Sequence, residues 1–259
     1  MKWPASVTLI RHGQSVYNVL REKKEEDPEY QAFKAAFDRN YRDYHLEETR
    51  RLAEKMQKKY ALGVSDYATP LTLEGKLQGV DTGKRLHEIV PLPDIIFYSP
   101  YRRAKDTLLC LSKGWPRLNR VKNIADDRIR EQEHGLSLLY NDWRIFHALH
   151  PEQKDLHALL GPYWYQYPQG ESVSQVRDRT RDIISMLIRE CAGMHVILVT
   201  HHLTILSIRA NLERLTPEAF LYLDREERPV NCGVTHYVGN DMLGNDGRLV
   251  LDFYNRKLY

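Results

Sequence analysis

Cysteine is scarce: Cys110, Cys191 and Cys232 are the only three in 259 residues, far apart and with no C-x-x-C pair. That argues against a disulfide framework and a cysteine-held metal, and free thiols suit a reducing compartment. No apolar run approaches the roughly 20 residues that a membrane helix needs. The N-terminus lacks a basic segment leading into an apolar core, the mark of a secretory leader. A cytoplasmic protein with no membrane partner is therefore expected. Charge of one sign is missing too: 38 Lys and Arg against 35 Asp and Glu leave a net charge of +3. No basic cluster is pure enough to be a nucleic-acid footprint, whereas a small anionic substrate needs only local positive charge. What is present, 42% hydrophobic and 28% charged residues with a negative mean hydropathy, describes a globular chain with surface outside its main core. The length suits one sizeable core with an appended subdomain.

Four apolar runs are strand candidates: Val7 to Ile10, Ile95 to Tyr98, Val196 to Thr200 and Leu249 to Tyr254. The first three are each followed by a turn and a helix-like pattern. Strands that are apolar throughout belong to a largely parallel sheet covered on both faces, so the expected fold is a three-layer α/β sandwich flanked by helices. The carboxyl ends of its parallel strands share one edge, where ligands bind in open α/β sheets.

Residues 19–67 read differently. Ten acidic and eleven basic residues mix between Arg21 and Tyr60, and Asp27 followed by Pro28 is a helix start. Tyr30, Phe33, Phe37, Tyr41 and Tyr44 recur at helical spacing, and Leu52, Met56 and Tyr60 continue it. The pattern gives one long amphipathic helix or a helical pair whose aromatic stripe is a packing face. The alternative is a lid, or a surface through which a homodimer forms. The expected organisation is a single α/β domain over 1–259 with 19–67 as a charged helical insertion, serving as cap or interface.

The chemistry gathers at strand ends. In LIRHG, Arg11 and His12 close the first strand, Gly13 brings the backbone close to a ligand, and Ser15 can cap the next helix. The second strand runs into SPYRRAKDT, where Ser99 can cap, Pro100 suits the first helical position and Arg103 follows one turn in. The third ends in His201. Two guanidinium groups and two imidazoles thus meet at one rim. A neutral imidazole can attack phosphorus, the arginines neutralise the non-bridging oxygens, and the second histidine donates a further hydrogen bond. Phosphoryl transfer is mostly positioning and charge stabilisation, so this set needs neither metal nor cofactor. An acid for the leaving alkoxide remains to be found.

LIRHGQSVYN resembles the R-H-G signature of the histidine phosphatase superfamily, which includes phosphoglycerate mutases. TPLTLEGKLQG at 69–79 resembles its P-L-T-x-x-G-x-x-Q segment, SPYRRAKDT its S-P-x-x-R-A-x-x-T helix start, and VTHH its second histidine strand. The resemblance implies a phosphohistidine on His12, with Arg11, Arg103 and His201 binding the transferred phosphoryl group and Asn18 contacting the substrate phosphate. It also implies an acid from IREQEHG, where Glu131 and Glu133 are available and the family spacing to Gly135 selects Glu131. QGES at 169–172 is similar to a common G-E-S segment of undefined role.

Two departures stand out. His202 occupies a position where the family usually has glycine: it still offers a backbone N–H to phosphate, while its β-carbon narrows the pocket or alters the turn. The stretch between Asn18 and Pro70 is far longer than in the mutases, and no paired-arginine, proline-rich segment lies between Glu131 and Gly170. A metal-independent phosphomonoester hydrolase acting on a small phosphorylated substrate is therefore expected. The alternatives are a mutase-type isomerase and an inactive phosphate-binding protein that recruits a partner. His147, His150 and His157 read as ordinary residues, because Pro151 breaks the helix they would share and no further ligand completes a metal set. Tyr163, Trp164, Tyr165 and Tyr167 either rim the pocket or pack a loop.

Overall fold

The computed structural model describes residues 2–40 and 47–259. Its elements in chain order begin with β1 (Ser6–Arg11), α1 (Val16–Glu26), α2 (Pro28–Arg39), α3 (Glu47–Lys59), α4 (Leu73–Leu86) and β2 (Ile95–Tyr98). There follow α5 (Arg102–Gly114), β3 (Lys122–Ala125), α6 (Trp143–Leu149), α7 (Pro151–Leu160) and α8 (Val173–Glu190). The chain finishes with β4 (His195–Thr200), α9 (His202–Leu212), α10 (Pro217–Glu226), β5 (Val234–Asn240) and β6 (Arg248–Arg256). None of these helices is long and apolar enough to cross a membrane. Two compact units result. One holds Tyr67–Glu131, Gln175–Tyr259 and the segment ending at Ser15; the other holds Val16–Asp66 and Gln132–Ser174.

The first unit is the α/β sandwich. Its six strands run in the order β3-β2-β4-β1-β5-β6, with β3, β2, β4 and β1 parallel and β5 and β6 antiparallel at one edge. The central strands alternate between two apolar layers: Val7, Leu9, Phe97 and Leu198 face Ile183, Met186, Leu187, Ile205 and Ile208, on α8 and α9. Ile10, Ile96, Ile197 and Val199 face Leu86, Ala104, Leu108 and Leu111, on α4 and α5. Burial on both sides is why these strands are mostly apolar, with the buried hydroxyls of Ser6 and Thr8 on β1 bonded to His195 and His236, and each large apolar side chain contributes about 1.5–3 kcal/mol. The register places Arg11 opposite Thr200 and Tyr98 opposite Val199. The ladder then runs on, with His12 N–H donating to the Thr200 carbonyl at 2.9 Å and Ser99 N–H to that of Val199 at 3.0 Å. His12, Ser99 and His201 thereby reach one level at the carboxyl edge.

Two strands escape a search for apolar runs. β3 is the four-residue KNIA, mostly exposed at the sheet edge, and β5, VTHYVGN, mixes polar residues into a buried strand. One helix start also differs from expectation. Tyr101, not Ser99, is the N-cap of α5, and Pro100 lies outside the helix rather than at its first position. The Ser99 hydroxyl is engaged by His201 instead.

The second unit has its own core. Asp27 caps α2, its carboxylate accepting from Glu29 N–H at 3.0 Å, so the Asp-Pro start holds. Tyr30, Phe33 and Phe37 pack with Ala53, Met56 and Tyr60 and with Ile145 on α6. Tyr41 and Tyr44 of the aromatic stripe lie outside the described residues. Three helices, rather than one or two, carry the charged stretch among the described residues. Lys24 is buried with its Nζ donating to the Asn141 carbonyl at 2.5 Å and lying 3.3 Å from Asp142 Oδ2, which also accepts from the Tyr30 hydroxyl.

Candidate active site

β1 and β4 are adjacent and parallel, so their carboxyl ends bring His12 and His201 together. The two rings stand 5.1 Å apart, edge to face, and both are buried. His12 Nδ1 lies 2.8 Å from the Gly13 carbonyl oxygen. A carbonyl only accepts, so Nδ1 carries the proton and the lone pair of His12 is on Nε2. Burial, then the guanidinium groups of Arg103 and Arg11, hold the His12 pKa well below that of a free imidazole. Burial, Arg103 and His12 do the same to His201. Both rings are neutral at physiological pH inside a positively charged rim.

Each member of the rim is held by backbone or ring contacts. Arg103, the second residue of α5, is buried, with its guanidinium carbon 5.0 Å from the centre of the Tyr101 ring. Tyr101 in turn meets His201 edge-on at 5.2 Å. Arg11 donates from Nη1 to the Pro229 carbonyl at 2.6 Å. Thr107 Oγ1 accepts from Gly13 N–H at 2.9 Å and donates to the Arg103 carbonyl at 2.6 Å, tying the two arginine-bearing segments together. Gly13 is required by a protein contact: a β-carbon there would fall 2.4 Å from the Gly75 carbonyl oxygen. The two glycines of R-H-G and P-L-T-x-x-G are thus a matched pair in which backbone packs on backbone.

The sequence model of the histidine phosphatase superfamily (branch 1) matches residues 57–241, well over half of the chain. The chain belongs to this superfamily. The matched stretch contains Arg103, Glu131 and His201 and begins after the R-H-G segment. Among curated proteins, the phosphoglycerate mutase-like protein AT74H of Arabidopsis thaliana is 28% identical over 160 residues, 54% of either chain. AT74 of the same plant is 30% identical over 133 residues, 48% of this chain and 40% of AT74. The chain spans about half the length of the curated relatives it matches. Among solved structures, a mycobacterial glucosyl-3-phosphoglycerate phosphatase in complex with inorganic phosphate superposes with a TM-score of 0.65 at 20% identity, covering 98% of both chains. YhfR of Bacillus stearothermophilus gives 0.65 at 19%, covering 98% of this chain and 99% of YhfR. The histidine phosphatase fold is common to all three.

In this family member, the segment ending at Glu131 is fastened to the histidine edge. Thr200 Oγ1 donates to the Ile129 carbonyl at 2.6 Å, Thr204 Oγ1 to that of Arg130 at 2.5 Å, and Arg179 to those of Arg128 and Glu131 at 2.8 and 2.9 Å. Arg179 also contributes to lowering the His201 pKa. Glu133 lies in the second unit, where its backbone N–H meets the Glu171 carboxylate at 3.1 Å and its carbonyl accepts from Glu171 N–H at 2.7 Å. This explains the G-E-S segment: it is strapped along residues 132–135, and a β-carbon on Gly170 would fall 2.3 Å from the Glu133 carbonyl oxygen. Asn18 is on α1 of the second unit.

His202 is the first residue of α9, with His201 as N-cap in extended geometry and no positive φ at position 202. A β-carbon is therefore accommodated at position 202 without left-handed strain. The His202 ring turns to α10, its Nε2 2.9 Å from Asp224 Oδ1, while still acting electrostatically on His12. His147, His150 and His157 pack against aromatic rings. Pro151 begins α7 and separates it from α6, as its ring dictates. The His147 and His157 rings meet at a tilt, 5.1 Å apart, beside the buried ring of Tyr165. Tyr163 is buried as well, and Trp164 is exposed.

Sequence reading missed Thr107, Arg179, Thr200, Thr204 and a clamp near the C-terminus. Asn231 Nδ2 donates to the His12 carbonyl at 3.0 Å, and Cys232 N–H reaches the carbonyls of Arg11 and His12 at 3.1 and 3.3 Å. Cys232 does so with φ at +52°, a left-handed conformation uncommon for a residue with a side chain.

Proposed function

We propose that this protein is a metal-independent phosphomonoester hydrolase working through a phosphohistidine on His12. One observation carries the reading: the Gly13 carbonyl fixes His12 Nδ1–H, so a neutral ring offers its Nε2 lone pair beside His201 and two guanidinium groups. In the first step Nε2 attacks phosphorus, the P–N bond forms as the P–O bond to the leaving group breaks, and Glu131 gives its proton to the departing oxygen. In the second, water attacks the phosphohistidine, Glu131 takes the water's proton, and the P–N bond breaks to release inorganic phosphate.

Arg11, Arg103 and His201 bind the phosphoryl oxygens. Removing one such preorganised donor typically costs on the order of 100- to 1000-fold in kcat. The N-terminus of α9, where His202 offers its backbone N–H, adds positive potential to substrate binding. Glu131 is favoured over Glu133 by the Thr200, Thr204 and Arg179 contacts that fasten its segment to the His201 edge.

Turnover of an aryl phosphate in the presence of a chelator, lost in His12→Ala, tests the reading. Rapid quenching should trap an acid-labile, base-stable phosphoenzyme. A folded protein that turns over no member of a broad phosphate panel overturns it. So does mutase activity, stimulated by a bisphosphorylated primer, that exceeds hydrolysis.

A further inference from the structure

We propose that Ser99 is a positioning residue that sets the tautomer of His201, so that this ring presents Nδ1–H to the transferring phosphoryl group. The inference rests on the phosphohistidine reading for its purpose, but its geometry stands alone. Ser99 is completely buried, and its Oγ lies 2.7 Å from His201 Nε2. Its hydroxyl has one other partner among the described residues, the Tyr101 backbone N–H at 3.4 Å, which can only donate. The hydroxyl hydrogen therefore has a single acceptor available, the Nε2 lone pair, and the ring's own proton must sit on Nδ1.

The reverse arrangement fails on two counts. If Nε2–H donated into Ser99 Oγ, that oxygen would receive two donors while its own hydrogen was buried without an acceptor. Nδ1 would then turn a lone pair toward the anion. Nδ1 is buried and has no hydrogen-bond partner among the described residues, which leaves it available to substrate. His12 at 5.1 Å and Tyr101 at 5.2 Å pack edge-on against the ring and oppose its reorientation. Burial and the flanking arginines keep the ring neutral, which is what makes its tautomer matter.

Ser99 itself is fixed by the sheet, through its N–H to the Val199 carbonyl. The serine of the S-P-x-x-R-A segment thus serves the histidine on the neighbouring strand rather than the helix that follows it.

The test is a two-bond ¹H–¹⁵N correlation spectrum of the full-length protein carrying ¹⁵N-histidine, at neutral pH, with and without inorganic phosphate. The expected result is a His201 ring protonated at Nδ1 and bare at Nε2. Ser99→Ala should shift the ring toward the Nε2–H form and lower kcat/KM for an aryl phosphate roughly 10- to 100-fold, the range seen when outer partners of a functional histidine are removed. Ser99→Thr, which keeps the hydroxyl, should restore both. A wild-type ring protonated at Nε2, or at both nitrogens, overturns the proposal, as does a Ser99→Ala spectrum unchanged from wild type. Should Ser99→Ala fail to fold, the wild-type spectrum decides. An Nδ1–H ring in a protein that forms no phosphohistidine would refute the hydrolase reading and leave the tautomer assignment standing.

Discussion

Replacing Gly75 by alanine probes whether the R-H-G loop is aimed by contact between backbones. The added β-carbon would lie 2.0 Å from the Gln14 carbonyl oxygen and 2.7 Å from the Gln14 nitrogen, where real contacts stay above 3.0 Å. Gln14 is not free to swing aside. Its N–H donates to Gln78 Oε1 at 3.0 Å, and its carbonyl accepts from Thr72 N–H at 3.0 Å and Thr72 Oγ1 at 3.2 Å. Relief of about 1 Å must come from the loop or from the first turn of α4, and the loop begins at His12, two residues away. A misplacement of that size at a reacting group costs on the order of 100-fold, and overpacking costs about 1–3 kcal/mol. Gly193→Ala is the control: its β-carbon meets nothing within 4 Å, and its strain comes from a φ of +74°. That strain removes about 1–2 kcal/mol of stability and leaves kcat/KM for an aryl phosphate unchanged. Gly75→Ala should lower kcat/KM about 100-fold while keeping the circular dichroism of the wild type. If it instead loses only stability, as Gly193→Ala does, the backbone contact does not aim the nucleophile.

Three further outcomes are expected. Because burial, Arg103 and Arg11 lower the His12 pKa, kcat/KM corrected for substrate ionisation should stay flat from pH 7.5 to below the free-imidazole value; in Arg103→Gln the acid limb of the residual activity should move up. Burial holds His147 at about 3, so the folded protein keeps it neutral while the unfolded chain protonates it below about 6.5. Between those values stability falls by about 1.4 kcal/mol per pH unit. Urea unfolding at pH 7 and 5 should therefore show an acid loss that is smaller by about 2 kcal/mol in His147→Phe. Lys24→Met leaves Asp142 buried without its cation and should cost about 3–5 kcal/mol by the same assay; a loss below 1 kcal/mol would show that Tyr30 and the α6 N-terminus satisfy that carboxylate alone.

The legible part of the fold is the part buried on both sides. VTLI, IIFY and VILVT are almost wholly apolar because helices cover both faces, Thr8 being the one interior polar residue and bonded to His236, and each is a strand at or within one residue of its apolar run. KNIA and VTHYVGN were not legible, since one is a short exposed edge and the other gains its burial from a fold that a local pattern does not contain. The same division runs through the site. Arg11, His12, Arg103 and His201 are identifiable because they stand at strand ends or in the helix turn that follows one, and the structure brings the two rings together with both guanidinium groups close enough to act on them. The α5 cap was misread because a serine before proline looks like a cap from the local chain, whereas a histidine 102 residues later claims its hydroxyl.

What positions His12 leaves a weaker trace for a physical reason. Chemistry needs a particular side chain, but positioning needs only a donor or acceptor at a given point, and many residue types supply one. The Arg11 guanidinium is fixed by the Pro229 carbonyl 218 residues away, and the His12 carbonyl by the Asn231 amide and the Cys232 N–H. Two of these three groups belong to the backbone and carry no residue identity at all. Cys232 could be read only through its left-handed φ, which is a property of the turn rather than of the cysteine. His12 is therefore found by its own ring, while its placement depends on a segment that becomes its neighbour only when β5 pairs with β1. A search confined to R-H-G finds the first and is blind to the second.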